Sequence, residues 1–543
     1  MKFFQRFFAS GSLFIWLAGG ALACSLLMIG GLLTIIFFNG MGYFWPKDLV
    51  QLTLKNDTRV LGEIVDTQRI PETVSADFPH GQSRIQLKVG NRDVYGLDFR
   101  WVDEADIAQR AWPQDVIAFE RREWGNFYGW VTEVWDGETR LAQGREIEWD
   151  VWYPYLEQAE AHHQDIHHIE RDVIGAINAD MERARLNLKV LESKGKISQD
   201  SADMLQREIQ QREAAYQEQI ERLVGLYERL NRYRITLVDV TGEEKTFPFG
   251  GIVKAWRPNA MSVWDKTLMY VENFWNVLTD EPREANTEGG IFPAIFGTVM
   301  MVLVMSVVVV PFGVLAAVYL KEYAKQGLLT RMIRIAVNNL AGVPSIVFGV
   351  FGLGFFVYAV GGTIDQLLFS AALPNPTFGT WGMLWASLTL ALMTVPVVIV
   401  ATEEGLSAVP REYREGSLGL GATKFESLMR VVLPCAMPGI LTGLILAVSR
   451  ATGEVAPLML TGVVKLAPAL PVDSQFPFLH LDRKFMHLGF HIYDVGFQSP
   501  NVEAAKPMVY VTTLVLVLVV LLLNMTAIAL RTRMRKRYAG ASV

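Results

Sequence analysis

Apolar runs long enough to cross a membrane constrain this chain more than any other feature of its sequence. They lie at residues 12–38, 291–320, 335–360, 381–401, 438–463 and 508–530. A transmembrane helix needs about 20 such residues, and the first run is longer than the apolar core of a cleaved signal peptide. The sequence therefore predicts an α-helical polytopic membrane protein with six transmembrane helices.

A long polar stretch, residues 39–290, separates the first two runs. It brings the charged fraction to 20% although 51% of the residues are hydrophobic, so the chain resembles neither an ordinary soluble protein nor a bare membrane bundle. The net charge of −6 shows no bias towards nucleic acid. Cys24 and Cys435 lie in separate regions, so no disulfide framework is expected.

Periodicity divides the polar stretch into two kinds of structure. Residues 50–150 and 235–257 alternate apolar and polar side chains as β-strands do, whereas 155–234 repeat apolar side chains three or four apart. A polar break at 193–196 and a helix cap at Ser198 divide the helical part into two arms of about 50 Å each. We therefore expect a large α+β insertion in which an antiparallel helical hairpin leaves a β domain.

Basic residues are unevenly distributed among the loops, and this predicts the orientation. The loops after the second, fourth and sixth runs are rich in Lys and Arg, whereas 361–380 and 465–507 are poorer. Because Lys and Arg favour the cytoplasmic side, both termini are predicted to be cytoplasmic, with the insertion in the periplasm of a bacterial inner membrane. The predicted divisions are 1–38 (N-terminus and first span), 39–290 (insertion), 291–535 (membrane core, with a cytoplasmic loop at 403–437) and 536–543 (cytoplasmic tail).

Sequence motifs give no support for a catalytic or nucleotide-binding site. G-L-G-A-T-K at 419–424 lacks the spacing of a phosphate-binding loop, and no nucleophile elbow or zinc-type Cys/His pattern occurs. We therefore expect no enzymatic activity, no bound cofactor and an energy source on another chain. Histidines in the hairpin are weak candidates for a metal site, and a polar outer face is the favoured alternative. They are His162, His163, His167 and His168.

Two charged residues lie inside the fifth apolar run. If that run begins near Pro438, Arg450 lies about 18 Å along the helix, near the middle of the bilayer. A charge there costs at least about 2.5–3.5 kcal/mol unless it faces water or a partner. Glu454, one turn further, can pair with it. The pair therefore predicts either an anion path that the ion pair opens and closes, or a structural bridge between helices.

A spacing pattern in the cytoplasmic loop carries the most specific signal in the chain. It consists of Glu415-Gly416-Ser417, three residues, Gly421, nine residues, Val431, one residue and Leu433-Pro434. It resembles the E-A-A-x3-G-x9-I-x-L-P loop of ABC importer permeases, with Gly-Ser for Ala-Ala and Val for Ile. Gly421 would allow a turn between two short helices, and Pro434 would begin the following membrane helix. In that family the loop docks on an ATPase subunit, so the resemblance implies a coupling role.

Further stretches narrow the resemblance to permeases of the PstA type. They are A-A-V-Y-L-K-E-Y at 316–323, L-A-G-V-P-S-I-V-F-G-V-F-G-L at 340–353, P-G-I-L-T-G-L-I-L-A at 438–447 and S-R-A-T-G-E-V-A-P-L at 449–458. The last is similar to the usual A-R-A-x-G-E-T-A-P-L and departs from it at Ser449 and Val455. The resemblance is dense over 291–460, looser as far as Arg537, and does not include the insertion.

This resemblance implies the permease half of a phosphate importer of the ABC type. Its expected partners are a PstC-like sister permease, a dimer of a PstB-like ATPase that uses ATP, a periplasmic phosphate-binding protein, phosphate and membrane lipid. It also implies that Arg450 and Glu454 take part in transport. Two alternatives stay open: a permease for another oxyanion, such as molybdate or sulfate, and a membrane-anchored sensor or scaffold that acts through the insertion.

Overall fold

A computed structural model describes residues 12–69, 83–144, 147–193, 199–499 and 501–539. Within these ranges six helices are long and apolar enough to cross a membrane, as predicted. We number them span 1 (Phe14–Gly42), span 2 (Phe292–Tyr323), span 3 (Ser345–Leu368), span 4 (Met383–Ser407), span 5 (Lys424–Gly453) and span 6 (Val502–Lys536). The predicted hairpin break at 194–196, the cap at Ser198 and the end of the tail at 540–543 lie outside the described residues.

Span 3 begins at Ser345 rather than at residue 335. Residues Leu328–Leu340 instead form a separate amphipathic helix that carries Arg331 and Arg334. Pro344 explains the separation, because a proline disfavours helical backbone at the residue before it. The apolar residues of two helices had therefore produced one apparent run in the sequence.

Span 5 begins and ends earlier than predicted. It is helical from Lys424 to Gly453, with a π-helical turn at Leu428–Val432. Pro434 follows this turn, and the wider turn accommodates a residue that lacks an N–H and clashes with the carbonyl four residues earlier. Pro434 therefore lies within a helix that has already begun, rather than at the start of the membrane helix. A short helix, Ala456–Thr461, follows the break.

Span 4 lies at the centre of the membrane core. In its apolar window 67% is buried within the protein, against 28% in spans 2 and 3. Glycines let span 5 approach it closely: a Cβ added at Gly439 would lie 2.5 Å from the Gly405 Cα, and one at Gly443 would lie 2.9 Å from the Ala401 Cβ. Spans 4 and 5 therefore cross almost backbone to backbone, the packing that small residues permit between membrane helices.

The insertion contains two large antiparallel sheets of short strands, besides a two-stranded pair formed by Pro282–Arg283 and Glu288–Gly289. The first has the order β4-β3-β2-β1-β5. Its strands are β1 (Leu49–Leu54), β2 (Arg59–Arg69), β3 (Ser83–Lys88), β4 (Phe99–Asp103) and β5 (Ile107–Ala111). The second has the order β10-β9-β7-β6-β11, with β8 on β7. Its strands are β6 (Ile117–Arg121), β7 (Phe127–Asp136), β8 (Thr139–Gln143), β9 (Tyr233–Val238), β10 (Glu244–Pro248) and β11 (Ile252–Trp256).

A helical hairpin leaves and re-enters the second sheet, because β9 after the hairpin pairs with β7 before it. The first arm is Trp149–His168, continued by a π-helical turn and by Ile174–Ser193, and the second arm is Gln199–Arg232. The first arm therefore begins before residue 155 and is roughly 68 Å long, more than the expected 50 Å. Its early start is stabilised by Trp152, which is fully buried 5.8 Å from the ring of Phe119 in the sheet.

Side chains attach the insertion to the membrane core beyond its two chain connections. Asn501, just before span 6, donates a hydrogen bond to Asp98 at 2.6 Å, and Gln86 bonds to Glu503. In the first hairpin arm, Lys189 Nζ donates to the carbonyl of Leu373, between spans 3 and 4, at 2.9 Å. The hairpin therefore reaches across the same end of the core that carries the β domain.

Candidate functional site

Span 5 ends at a pair of oppositely charged residues. Arg450 lies in the last turn of the helix, and Glu454 is the first residue after it, with extended backbone (φ −83°, ψ 132°). Arg450 Nε and Glu454 Oε1 are 3.6 Å apart, and the side chains are 31% and 22% exposed. The prediction that one continuous helix carries both residues is wrong. Gly453 and Pro457 both disfavour continuation of the helix, which stops between the two charges.

Contacts with span 6 give the depth of Arg450. Ser449 Oγ bonds to Asn524 Oδ1 at 2.8 Å, and Arg531 donates to Thr442 Oγ1 at 3.2 Å. Arg531 begins the basic end of span 6. Arg450 therefore lies eight residues beyond the level of that basic end, a distance of about 12 Å along the helix.

Contacts with span 4 give the distance of Arg450 from the opposite side of the membrane. A Cβ at Gly443 would lie 3.3 Å from the Cα of Val398. Since the two helices run antiparallel, Arg450 lies about 12 Å from the level of Met383, where span 4 begins. The two distances place the Arg450–Glu454 pair near the middle of a hydrocarbon core of about 30 Å. The predicted depth is thus retained although the predicted helix ends were wrong.

The break in span 5 supports a positive charge at this depth. The final carbonyl groups of a helix carry partial negative charge, which favours a cation in the last turn. Apart from the ion pair with Glu454, Arg450 forms no hydrogen bond with the residues that the structure describes. Its guanidinium N–H groups are therefore available to an anion, which would compete with the Glu454 carboxylate for them.

The loop between spans 4 and 5 turns at Gly421. The helix Arg411–Gly419 ends in a Schellman motif, in which the Gly421 N–H bonds to the Leu418 carbonyl and the Ala422 N–H to the Ser417 carbonyl. Gly421 has φ +87°, which glycine adopts without a steric penalty. The predicted turn at this glycine is confirmed.

A capping box begins the helix that follows the turn. The Thr423 hydroxyl accepts from the Glu426 N–H, and the Glu426 carboxylate accepts from the Thr423 N–H. The helix start is therefore fixed at Thr423 by local bonds, independently of Pro434.

Glu322 at the end of span 2 holds this loop in place. Its carboxylate pairs with Arg414 at 3.2 Å, and its carbonyl accepts from Lys424. Lys424 also lies 4.6 Å from the centre of the Tyr323 ring, and Arg414 donates to the carbonyl of Leu406 in span 4. The loop thus connects spans 2, 4 and 5. Glu322 lies within the stretch 316–323 that resembles PstA-type permeases, but its contacts with this loop join distant segments and are not visible in the sequence.

The remaining residues of the spacing pattern lie in two environments. Glu415 and Gly416 are exposed, whereas Val431, Leu433 and Pro434 are half-buried. The Ser417 hydroxyl bonds to that of Ser427 across the turn.

The same loop exposes large apolar side chains. They are Tyr413, Leu418, Leu420, Phe425 and Met429, and Leu420 is 92% exposed. Exposed apolar groups that cluster on one loop indicate a docking surface rather than a solvated connector.

The hairpin histidines do not converge on one point. His167 Nε2 lies 3.3 Å from Glu281, and His168 Nδ1 lies 2.8 Å from Asp172. Burial and the charge of Arg122 lower the pKa of His163. Over the described ranges no group of three metal-ligating side chains occurs. The histidines, with His162, therefore fit a polar helix face better than a metal site.

A cluster of acidic residues lies where the insertion joins span 2. Arg283 pairs with Glu120 of β6, and Glu284 pairs with Arg92 at 3.1 Å. Glu288 Oε2 is buried without a hydrogen-bond partner among the described residues. Burial, reinforced by the negative charges of Glu120 and Glu284, raises the pKa of Glu288 to about 7. This group is not recognisable in the sequence, because its environment depends on contacts between distant segments.

Known proteins are similar to the membrane core of this chain. Residues 309–539 match the family described as binding-protein-dependent transport system inner membrane component. A probable ABC transporter permease protein of Bacillus subtilis, YqgI, is 32% identical over 225 residues, which are 40% of this chain and 70% of that protein.

Two further comparisons carry less weight, one because it covers half of the relative and the other because the shapes agree poorly. The phosphate transport system permease protein PstA 1 of Mycobacterium tuberculosis (strain CDC 1551 / Oshkosh) is 39% identical over 171 residues, 32% of this chain and 50% of that protein. The chain thus spans about half the length of this curated relative. A chain of the inward-facing MetNI methionine ABC transporter aligns with 50% of this chain and 99% of its own length at 17% identity, but the TM-score of 0.31 is too low for an argument from shape.

Proposed function

Because the chain belongs to the family of binding-protein-dependent transport system inner membrane components, we propose that it is a PstA-type permease subunit of an ATP-driven phosphate importer. The observation that carries the proposal is Arg450, a guanidinium at mid-membrane depth without a hydrogen-bond partner among the described residues. Similarity to phosphate transport permeases selects phosphate as the anion. A guanidinium fork suits phosphate oxygens, to which it donates in pairs.

In this proposal Arg450 binds phosphate on its way through the pore. The 3.6 Å ion pair with Glu454 is weak enough in geometry for phosphate to displace the carboxylate. When phosphate leaves, Glu454 again neutralises the guanidinium, so that the empty pore does not carry an unpaired charge. Glu454 acts as a gate if this exchange accompanies the alternation of access, and as a brace if it does not.

The orientation follows from the basic loops. We place both termini in the cytoplasm of a bacterial cell, the protein in its inner membrane, and the insertion in the periplasm. The periplasmic side is where a phosphate-binding protein would deliver its cargo. A PstC-like sister permease would complete the pore, since Arg450 and Glu454 are partly exposed in this single chain.

Energy would come from a partner ATPase of the PstB type, because the chain has no nucleotide-binding motif of its own. The ATPase would bind the loop that contains Glu415, Gly416 and Gly421. Leu420 and its apolar neighbours on that loop would enter a cleft on the ATPase surface. Glu322 would then transmit movement of the loop to span 2, since it contacts both short helices of the loop.

Uptake of labelled phosphate tests the proposal in cells that lack this chain and regain it. Arg450→Gln is expected to abolish uptake while the ATPase still co-purifies. The matched control is Arg531→Gln, which removes an arginine from the basic end of span 6 and is expected to retain uptake. Normal uptake by the Arg450→Gln variant would refute the role of this residue. Chain-dependent uptake of labelled molybdate or sulfate, without chain-dependent uptake of labelled phosphate, would identify another oxyanion as the substrate.

A further inference from the structure

The helix Val263–Thr279, between β11 and span 2, has two apolar faces. One face is buried through Met269 and Val277. The other is exposed through Trp264 (69%), Leu268 (54%), Val271 (59%) and Trp275 (63%). Spacings of four, three and four residues place these four side chains in one narrow stripe along the helix. We call it the tryptophan stripe.

The buried face of this helix packs on the ends of the first two spans. The ring of Phe44, just after span 1, lies 6.0 Å from that of Tyr270 and 5.3 Å from that of Phe274. Val277 belongs to the same apolar cluster as Ile291 and Ala294 at the start of span 2. The helix therefore lies at the level where both spans leave the membrane.

The surface beside the tryptophan stripe is itself a membrane surface. No residue in the apolar window of span 1 is buried within the described chain, although Gly40 near the end of this span packs against Leu514 of span 6. The stripe thus continues an apolar surface that must face lipid or another membrane helix. Tryptophan at both ends of the stripe favours lipid, because its ring has an apolar body and a polar N–H that suit the headgroup boundary. Asp265 and Glu272, both exposed, border the stripe with charge.

We propose that the tryptophan stripe inserts into the headgroup region of the bilayer and anchors the insertion to the lipid surface. The helix then lies on the membrane as an amphipathic interfacial helix. The buried face binds the protein, and the stripe binds lipid. This anchor depends on the membrane position of spans 1 and 2 and not on which substrate the protein carries.

Site-directed fluorescence in proteoliposomes tests the anchor. The full-length chain with Cys24→Ser and Cys435→Ser receives a single cysteine by Leu268→Cys or, separately, by Val271→Cys, which is labelled with an environment-sensitive fluorophore. The matched control is Met204→Cys on the second hairpin arm, a site that is 66% exposed and distant from the spans in sequence. Lipids that carry a nitroxide at the headgroup or upper acyl chain serve as quenchers.

Both stripe variants are expected to show blue-shifted emission and loss of intensity with nitroxide lipids, whereas the Met204→Cys variant shows neither. Emission typical of water at both stripe sites, with no quenching, would overturn the proposal. Loss of quenching when the complete transporter is reconstituted would also overturn it, because a protein partner rather than lipid would then cover the stripe. The two stripe sites guard against a local effect of either substitution.

Discussion

Gly421 offers a quantitative test of the loop between spans 4 and 5. Its φ of +87° lies in the left-handed region, and a Cβ added there meets no described atom within 4 Å. Gly421→Ala therefore adds no clash, and its cost is that of holding an L-residue in this conformation, about 1–2 kcal/mol. At room temperature this corresponds to a shift of roughly 5- to 30-fold in the population of the closed turn.

Hydrogen exchange measures this population directly. The Ala422 N–H bonds to the Ser417 carbonyl only when the Schellman motif is closed. In the Gly421→Ala variant its exchange is expected to be faster by that 5- to 30-fold factor, and coupling to the ATPase is expected to weaken with it. Gly421→Asn should restore part of the protection, because asparagine tolerates the left-handed region better.

Gly416 provides the matched control in the same loop. It is exposed, lies within the helix Arg411–Gly419, and also has open space around its Cα. Gly416→Ala is therefore expected to stabilise the helix by up to about 1 kcal/mol and to slow exchange. Equal effects of the two substitutions, or unchanged exchange in Gly421→Ala, would refute the argument from backbone handedness.

Three further predictions concern the pore, the helix crossing and the junction with the insertion. Glu454→Gln removes the carboxylate that competes with phosphate for Arg450, so phosphate is expected to bind more tightly and leave more slowly, with a lower KM and a lower maximal rate of uptake. Unchanged kinetics would indicate that Glu454 has only a structural role. Gly439→Leu is expected to destabilise the span 4–span 5 crossing by about 1–3 kcal/mol, measured by thermal unfolding in detergent, whereas Gly354→Leu, at a glycine with open space, has little effect. Glu288 keeps its proton in the folded state up to about pH 7 but releases it near pH 4.5 when unfolded, so the free energy of unfolding of the wild-type protein falls as pH rises between these values. Glu288→Gln is expected to remove this fall, and a fall of the same size in the variant would contradict the raised pKa of Glu288.

Features with a strong local pattern were predictable from the sequence. The six spans follow from run length alone, and the turn at Gly421 follows from a spacing that puts a glycine between two helical segments. Arg450 and Glu454 were recognisable because a charge is rare in an apolar run. Their ion pair forms although the helix between them ends, since extended backbone at Glu454 still keeps its carboxylate within reach.

Helix ends were less predictable, because each depends both on local residues such as proline and on packing against distant segments. A short sequence window shows only the local residues. Pro344 separates two helices, whereas Pro434 lies inside one behind a π-helical turn. The first hairpin arm begins before Pro154 because Trp152 packs against a distant strand. The loop contact of Glu322 likewise joins segments far apart in the chain. The tryptophan stripe, by contrast, lies inside the predicted insertion but after its predicted β-rich segment at 235–257, so no prediction covered it.

The attachments of the insertion have a mechanical consequence. Its chain continues into spans 1 and 2, Asp98 bonds to Asn501 before span 6, and Lys189 bonds to Leu373 between spans 3 and 4. These connections form closed rings that bridge the ends of the helices on one side of the membrane. A rearrangement that spreads those ends must break a bond in a ring or carry the whole insertion with it. The insertion is therefore a tether whose bond strengths limit how far that side can open.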